Sequence, residues 1–406
     1  MKTESLKADG SWNSSQTVYP ILFAISISHL LNDLIQSIIP AVYPLLKSNY
    51  ALNFTQIGII TLVFQLTASI LQPFVGLYTD KNPTPRSLAI GMLFSLAGLL
   101  CIAFASSFIY ILLSVSLIGM GSSIFHPEAS RVAHLASGGK KGLAQSIFQV
   151  GGNAGGAIGP LLAALIVIPF GQQYIGIFGV LAILAILILT YVGNWYQLHL
   201  KPKATVSTPN ATQAKSSFSR SKIIFALVIL LILIFSKYFY MASMTSYFTF
   251  YLIDKFGITV QESQVYLFVF LASVAVGTIL GGPLGDRYGR KLIIWVSILG
   301  AAPFTLLLPH VGLTLTMVLS ILIGLIISSA FSAILVYATE LIPGKVGMIA
   351  GLFFGLAFGM GGIGSAILGW LADKTSIEHV FNICAYLPLI GIATGLLPNI
   401  ERQKKA

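Results

Sequence analysis

The chain has 406 residues, of which 56% are hydrophobic and 9% are charged, and its mean hydropathy is +0.89. A soluble domain carries about 25% charged residues, so this composition excludes a chain that covers its whole surface with water-facing side chains. The net charge of +11 would favour nucleic-acid binding in a soluble protein. In a membrane protein the same excess of Lys and Arg is expected in cytoplasmic loops.

Apolar runs long enough to cross a bilayer follow one another along the chain. A spanning helix needs about 20 apolar residues, and the first run is too long for the apolar region of a signal peptide, which has about 7–15. We therefore predict an all-α membrane protein with twelve transmembrane helices. The predicted spans are 18–46, 55–78, 87–106, 108–133, 143–168, 174–195, 222–252, 263–284, 291–308, 312–338, 348–371 and 377–398.

A polar stretch rich in Lys, Ser, Thr, Pro and Ala divides the first six predicted helices from the last six and is typical of a flexible linker. The predicted segments are an N-terminal tail, a six-helix bundle, a linker, a second six-helix bundle and a C-terminal tail. Their bounds are 1–17, 18–196, 197–221, 222–398 and 399–406.

The basic residues orient the predicted helices. If the N-terminus is cytoplasmic, nineteen of the 23 Lys and Arg residues fall in cytoplasmic segments, and the outer loops hold only Lys47, Lys255 and Lys374. This asymmetry predicts that both termini lie in the cytoplasm. It also accounts for the net charge without a nucleic-acid partner.

The two halves repeat each other. Gly139, Lys140, Gly142 and Phe148 recur 205 positions later, and so do Gly156, Ile158 and Gly159. A repeat of six helices in the same orientation is a common plan of secondary transporters. Two pseudo-symmetric bundles with a substrate site near the bilayer midplane are therefore expected.

The first predicted helix carries four polar residues on one face. His29, Asn32, Asp33 and Gln36 have the spacing i, i+3, i+4, i+7. Asp33 lies about 15 residues into the helix, near mid-membrane at about 1.5 Å per residue, where ionisable groups are costly and usually functional. We predict that Asp33 and His29 couple transport to protons, and that Asn32 and Gln36 bind substrate. The alternative is a polar patch that only holds helices together.

Lys237 lies at an equivalent depth in the seventh predicted helix. We predict that Lys237 and Asp33 face each other or a common substrate, and that Lys237 binds an anion with help from the hydroxyl of Tyr240. The alternative for Lys237 is a structural ion pair with Asp33.

The fourth predicted helix ends with His126, Pro127, Glu128 and Arg131. Glu128 and Arg131 have the i, i+3 spacing of an ion pair. We predict that His126 and Arg131 contribute to substrate binding and that Glu128 belongs to the proton path. A salt bridge at the end of the helix is an equally good interpretation.

The loop after the eighth predicted helix runs from Gly282 to Lys291 and contains Asp286, Arg287, Gly289 and Arg290. It resembles the G-x-L-x-D-R-x-G-R-K signature of the major facilitator superfamily. The first-half copy retains Asp80 but has Pro83 in place of the second glycine. The resemblance implies the major facilitator fold and a gating role for Asp80, Gly282, Asp286, Arg287, Gly289 and Arg290.

The fifth predicted helix contains Gly155, Gly159 and Pro160. This group resembles the glycine–proline motif of antiporters in the superfamily, although Ser146 stands where the first glycine of that motif would fall. The fourth helix also lacks the arginine that many drug–proton antiporters carry, with Ser114 near that place. Close helix packing through small residues is expected in either case.

A closer resemblance is to the fosmidomycin-resistance branch of this superfamily, found in Gram-negative bacteria. It is carried by segments that begin at Ser28, Phe125, Gln145, Phe235 and Ala330 and span both halves. The resemblance implies a multi-pass protein of the bacterial inner membrane that exports fosmidomycin, a small anionic phosphonate antibiotic, in exchange for protons. The expected partners are the drug, protons and the lipid bilayer, and the expected state is a monomer.

Two other functions remain open from the residues. An uptake symporter for a small organic anion would use the same fold and charges. A membrane sensor or enzyme is disfavoured because the sequence has no catalytic constellation, metal cluster or soluble domain. Cys101 and Cys384 lie inside apolar runs and are expected to be packing residues. We therefore expect no cofactor and no metal, with the proton as the coupling ion.

Overall fold

The computed structural model describes residues 16–138, 141–199, 219–342 and 346–400, and these residues are built from helices. The helices of the first half are α1 (Tyr19–Ala41), α2 (Tyr43–Asn49), α3 (Phe54–Lys81), α4 (Ser87–Ala103), α5 (Phe108–Leu135), α6 (Lys141–Leu162), α7 (Ile168–Phe170) and α8 (Gly179–His199). A π-helical turn joins α6 to α7, and a 3-10 helix precedes α8.

The second half is also helical, but several of its helices are short and are joined by 3-10 turns. Its α-helices are α9 (Arg220–Phe256), α10 (Val260–Tyr288), α11 (Arg290–Ile298), α12 (Ala302–Leu307), α13 (Leu313–Ser328), α14 (Ala330–Leu341), α15 (Val346–Lys374) and α16 (Ile377–Cys384). A 3-10 helix, Leu387–Leu396, continues α16.

Every predicted span coincides with helical structure. In the part of the chain that the structure describes, eleven helical stretches are long and apolar enough to cross a membrane, and Ser87–Ala103 is a shorter apolar helix of 17 residues. The first predicted span extended too far, because α1 ends at Ala41, after Pro40, and α2 follows as a separate helix. The full count of twelve crossings stays a prediction.

Polar residues at the breaks begin the helices. Asn53 and Gln56 form a capping box at the start of α3, and Thr259 and Glu262 form one at the start of α10. Each box satisfies backbone N–H groups that the first helical turn leaves without partners. These two helices are the second predicted spans of their halves, so the same local chemistry begins both.

Glycines allow α1 and α6 to pack closely. A side chain at Gly151 or Gly155 would collide with the backbone carbonyl of Ser26 or Leu30, and one at Gly159 would collide with Ser37. These glycines recur every four residues, so they form one ridge on α6. This ridge is the element that fixes the polar face of α1.

The two halves touch through α3 on α15 and through α6 on α10. At the start of α3, the backbone N–H groups of Phe54 and Thr55 donate to the Asp373 carboxylate at 2.8 and 2.7 Å, and the Thr55 hydroxyl donates at 2.6 Å. The Tyr247 hydroxyl of α9 lies 3.4 Å from the Phe54 carbonyl oxygen across the two halves, and it donates to the Ser365 carbonyl of its own half at 2.6 Å. We call this region the Phe54 end, and the opposite end of the bundle the linker end.

The predicted linker 197–221 lies largely outside the described residues, between the end of α8 and the start of α9. Residues 1–15 of the predicted N-terminal tail and 401–406 of the C-terminal tail also lie outside them.

Candidate substrate and proton site

Three ionisable side chains meet between α1 and α5. His29 Nε2 lies 3.2 Å from Asp33 Oδ2, and His126 Nε2 lies 3.6 Å from Asp33 Oδ1. The His29 side chain is 2% exposed, whereas Asp33 and His126 are about one-quarter exposed. We call these three residues the Asp33 cluster. One of its members is sealed in the protein, and the other two are partly accessible.

The surroundings of His29 determine where its hydrogens lie. His29 Nδ1 is 2.8 Å from the carbonyl oxygen of Phe148, which can only accept, so Nδ1 carries a hydrogen. If His29 Nε2 and the Asp33 carboxylate were both unprotonated, two acceptors would face each other at 3.2 Å. With no ion in this contact, one proton held either by His29 Nε2 or by the Asp33 carboxyl group would join the two acceptors.

His126 approaches Asp33 from α5. Its Nδ1 lies 3.0 Å from the carbonyl oxygen of Ser122 and 3.2 Å from the Ser122 hydroxyl, and its ring stands edge-on to that of His29 at 5.2 Å. The sequence predicted a substrate contact for His126. In the structure its nearest ionisable partner is Asp33, so His126 belongs to the same electrostatic site.

The position of His29 depends on α6. The His29 ring stacks on Phe148 with 4.0 Å between ring centroids, and its Cε1 and Nε2 atoms lie against Gly152. A side chain at Gly152 would collide with His29 Cε1 and Nε2 and would come within 2.8 Å of Asp33 Oδ2. The absence of a side chain at this position therefore leaves the room that the His29–Asp33 contact occupies.

The other polar residues of α1 extend the site. Asn32 Nδ2 donates to Asp33 Oδ1 at 2.9 Å, and the Ser122 hydroxyl donates to Gln36 Oε1 at 3.2 Å. The predicted polar face of α1 is thus tied to α5 through Ser122. The substrate-binding roles of Asn32 and Gln36 stay predictions.

The ligand atoms of the Asp33 cluster all lie within 4.8 Å of one another, a spacing that one metal ion could bridge. Two imidazoles and a carboxylate are also common metal ligands. A proton held between His29 and Asp33 would also account for the close contact, and a chelator distinguishes the two interpretations.

Lys237 lies apart from the Asp33 cluster. Its ammonium group donates to the carbonyl oxygen of Ser328 at 3.4 Å and lies 5.4 and 5.6 Å from the ring centroids of Tyr238 and Phe331. The side chain is 5% exposed, and no carboxylate of a described residue lies within 4.0 Å of it. The direct ion pair with Asp33, one of the sequence-based alternatives, is absent. A common substrate stays a prediction.

Glu128 and Arg131 form an ion pair at 3.0 Å near the linker end. Glu128 is fully buried and accepts from the Ser87 hydroxyl at 3.4 Å, and Arg131 donates to the carbonyl oxygen of Thr79 at 2.7 Å. The pair therefore joins α5 to the end of α3 and the start of α4. This geometry favours the salt-bridge interpretation over direct substrate contact, and the role of Glu128 in a proton path stays a prediction.

The predicted gating loop is described in part. Gly289 ends α10 with φ of +97°, and Arg290 at the start of α11 pairs with Glu340 of α14 at 3.4 Å. Arg287 is exposed and lies over the ring of Tyr288 at 5.2 Å. The side chains of Asp80 and Asp286 and the surroundings of Gly282 are not described.

The remaining predicted site residues pack within the helix bundle. Gly155 and Gly159 face α1, as described above, and Pro160 lies within α6 just before the π-helical turn. Tyr240 is 2% exposed and packs in the apolar core. Its contact with a substrate stays a prediction.

Sequence reasoning missed two parts of the site. Asp373 had no local pattern to mark it, since its partners are the backbone N–H groups of residues more than 300 positions away. Gly152 belonged to a glycine-rich run that predicted packing but did not indicate which glycine faces His29. A search for small residues on α6 at the depth of His29 would have found it.

Comparisons with known proteins agree with this architecture. The family model of the Major Facilitator Superfamily matches residues 25–362 and 238–406. The chain is 57% identical to the fosmidomycin resistance protein of Escherichia coli (strain K12) over 397 residues, which cover 97% of this chain and 96% of that protein. It is 45% identical to the uncharacterized MFS-type transporter YfnC of Bacillus subtilis (strain 168), with 96% and 95% covered.

Among solved structures, a bacterial homolog of the human lysosomal transporter Spinster in an inward-facing and occupied conformation has a TM-score of 0.71 at 16% identity and covers 93% of this chain and 91% of its own. The nucleoside transporter NupG has a TM-score of 0.69 at 14% identity, with 93% and 98% covered. These two structures show a shared fold. The family match along most of the chain and the 57% identity to a curated relative establish that this multi-pass membrane chain belongs to the major facilitator superfamily of transporters.

Proposed function

We propose that this chain exports small anionic phosphonate drugs of the fosmidomycin type in exchange for protons, and thereby confers resistance to them. The relative with 57% identity over nearly the full chain carries the name fosmidomycin resistance protein. The proposal assigns the proton to the Asp33 cluster and the drug to a position that includes Lys237.

The observation that supports the proton assignment most strongly is the contact between His29 and Asp33. The Phe148 carbonyl places the hydrogen of a neutral imidazole on His29 Nδ1, so a proton held by Nε2 or by Asp33 would turn their 3.2 Å contact into a hydrogen bond. Asp33 is partly exposed, so the proton can be exchanged when the site opens. A group that holds a proton in one conformation and releases it in another is what proton-driven transport needs.

The isolation of Lys237 supports the drug assignment. A buried cation without a counter-ion is costly, and among the described residues the contacts of the Lys237 ammonium group are with a carbonyl oxygen and two aromatic rings. An anionic phosphonate offers several acceptor oxygens and would supply the missing negative charge. The cation therefore suits an anion that binds and leaves.

Exchange cannot follow from direct electrostatics, because an anion bound at Lys237 would by its charge favour retention of the Asp33 proton. It requires that the conformation that binds the drug be the one that releases the proton, so that binding of either one lowers the affinity for the other. The Phe54 end is closed by contacts between α3 and α15. In the proposed orientation, with both termini in the cytoplasm of a bacterial inner membrane, this is the periplasmic end, and transport proceeds by alternating access of a monomer.

Everted membrane vesicles test the direction. Addition of fosmidomycin should discharge a preformed proton gradient with the wild type and with Asp254→Asn, an exposed aspartate near the end of α9, but not with Asp33→Asn. A chelator should leave the wild-type signal unchanged. Uptake by symport would predict proton movement in the same direction as the drug, and discharge by Asp33→Asn at the wild-type rate would refute the proton assignment.

Cells give the matching readout for the drug. Expression of the wild type or of Lys374→Ala, an exposed lysine at the end of α15, should protect cells from fosmidomycin, whereas Lys237→Ala should not. Equal protection by Lys237→Ala at equal membrane levels would contradict the drug assignment.

A further inference from the structure

A groove on the outside of the first half has features that transport does not use. It lies between the first turns of α4 and the last turns of α8 at the linker end and encloses about 230 Å³. At this groove α8 packs closely against the residues before α4, because a side chain at Gly193 of α8 would come within 2.6 Å of the Pro85 carbonyl oxygen. We call it the α4–α8 groove.

The groove changes from polar to apolar along its length. Arg86, Asn194 and Gln197 line it at the linker end, and Ile90 and Leu93 line it deeper along α4. Ile90 and Leu93 are 46% and 50% exposed. In a chain whose long helices cross a bilayer, an exposed apolar surface of this kind faces lipid tails. The polar end then lies at the level of the lipid headgroups.

The charge of the groove selects its occupant. Arg86 is exposed, forms no ion pair within the part of the chain that the structure describes, and has no carboxylate among the residues that line the groove. A phosphate group would pair with this guanidinium. The amine of a zwitterionic headgroup would find no acid, whereas Thr190, Asn194 and Gln197 offer hydroxyl and amide groups to a neutral alcohol.

We propose that the α4–α8 groove binds an anionic phospholipid with a phosphoglycerol headgroup, with the phosphate on Arg86 and one acyl chain along Ile90 and Leu93. Basic pockets between transmembrane helices are a known type of lipid headgroup site. The groove also lies next to the Glu128–Arg131 ion pair, because the hydroxyl of Ser87, the residue after Arg86, donates to Glu128.

Native mass spectrometry of the full-length protein in detergent, with phosphatidylglycerol or phosphatidylethanolamine of equal chain length, tests this proposal. The wild type should bind phosphatidylglycerol about fivefold more tightly, the effect of roughly one basic residue near a lipid surface. Arg86→Gln should lose this preference. Arg220→Gln, which removes an exposed arginine at the start of α9, should keep it.

Two results would overturn the proposal. One is equal binding of the two lipids by the wild type, and the other is the same loss of preference in Arg86→Gln and Arg220→Gln, which would indicate non-specific attraction to a basic surface. If Arg86→Gln does not fold, Asn194→Leu serves instead. It fills the headgroup end without changing the charge and should weaken phosphatidylglycerol binding, and wild-type binding by this variant would also overturn the site.

Discussion

The two halves of the protein carry their ionisable groups in opposite ways. In the first half, Asp33 has two histidines and an asparagine around it, so its charge is shared within a few ångströms. In the second half, Lys237 has no acidic partner among the described residues and rests on a carbonyl group and two rings. Among the described residues, the Asp33 carboxylate thus has polar partners within the first half, whereas the Lys237 ammonium group has no partner of opposite charge.

This difference assigns a separate task to each half. A self-contained cluster can hold or release a proton while its own neighbours adjust to the change of charge. An uncompensated buried cation gains most from an incoming counter-ion. The comparison predicts that damage to the Asp33 cluster uncouples protons from transport, whereas damage around Lys237 weakens drug binding.

The largest effect is expected from Asp33→Asn. The amide cannot take part in proton exchange, so drug-driven proton movement should fall to the level of empty membranes. Drug binding itself, measured by isothermal calorimetry, should persist. Asp254→Asn is the control. Proton movement at the wild-type rate in Asp33→Asn would show that the cluster is only a polar patch between helices.

Lys237→Ala should weaken drug binding by roughly 30-fold, because loss of one partner of a buried charge pair costs about 2 kcal/mol or more. The same calorimetry measures it, with Lys374→Ala as the control. Binding within twofold of the wild type would remove Lys237 from the drug site. The second half would then have no assigned role in drug binding.

Gly152→Ala and Gly156→Ala form a matched pair on α6. A methyl group at Gly152 would displace the His29 ring, whereas one at Gly156 has no neighbour within 4 Å. We expect proton-coupled transport in vesicles to fall about tenfold in Gly152→Ala, which corresponds to about 1.4 kcal/mol, and to be unchanged in Gly156→Ala. Equal activity of the two variants would show that the exact position of His29 does not matter.

The smallest effect is expected from Asp373→Asn. The carboxylate caps the start of α3 from the other half of the protein, and a charged cap of this kind contributes about 1 kcal/mol. The variant should therefore open the Phe54 end more often. Modification of a cysteine introduced at Thr61, which lies just inside that end, should speed up about fivefold.

Glu378→Gln, an exposed change near the same end on α16, should leave this modification rate unchanged. Unchanged modification in Asp373→Asn would mean that the cap does not hold the two halves together.

The sequence allowed the elements to be predicted but not the contacts between them. Polar breaks and apolar lengths located the helices to within a few residues, because each depends on local composition. The grouping of the polar residues on one face of α1 followed from their helical spacing. Pro40 was the exception, since the long apolar run around it concealed the end of α1.

Contacts between helices were harder to predict. Nothing local to His126 indicated that its ring would turn to Asp33, because the approach depends on how α5 packs beside α1. The equivalent depths of Asp33 and Lys237 suggested a meeting, yet Lys237 turns towards α13 and α14. Depth along a helix can be counted from the sequence, whereas the direction in which a side chain points depends on tertiary packing.

The proposed mechanism depends most directly on an exchange of the drug for a proton. Purified protein in weakly buffered detergent solution, with a pH indicator, should release protons when fosmidomycin is added, after correction for drug added to the solution alone. Asp33→Asn should bind the drug and release none. Drug binding by the wild type without proton release, or equal release from Asp33→Asn, would contradict the account.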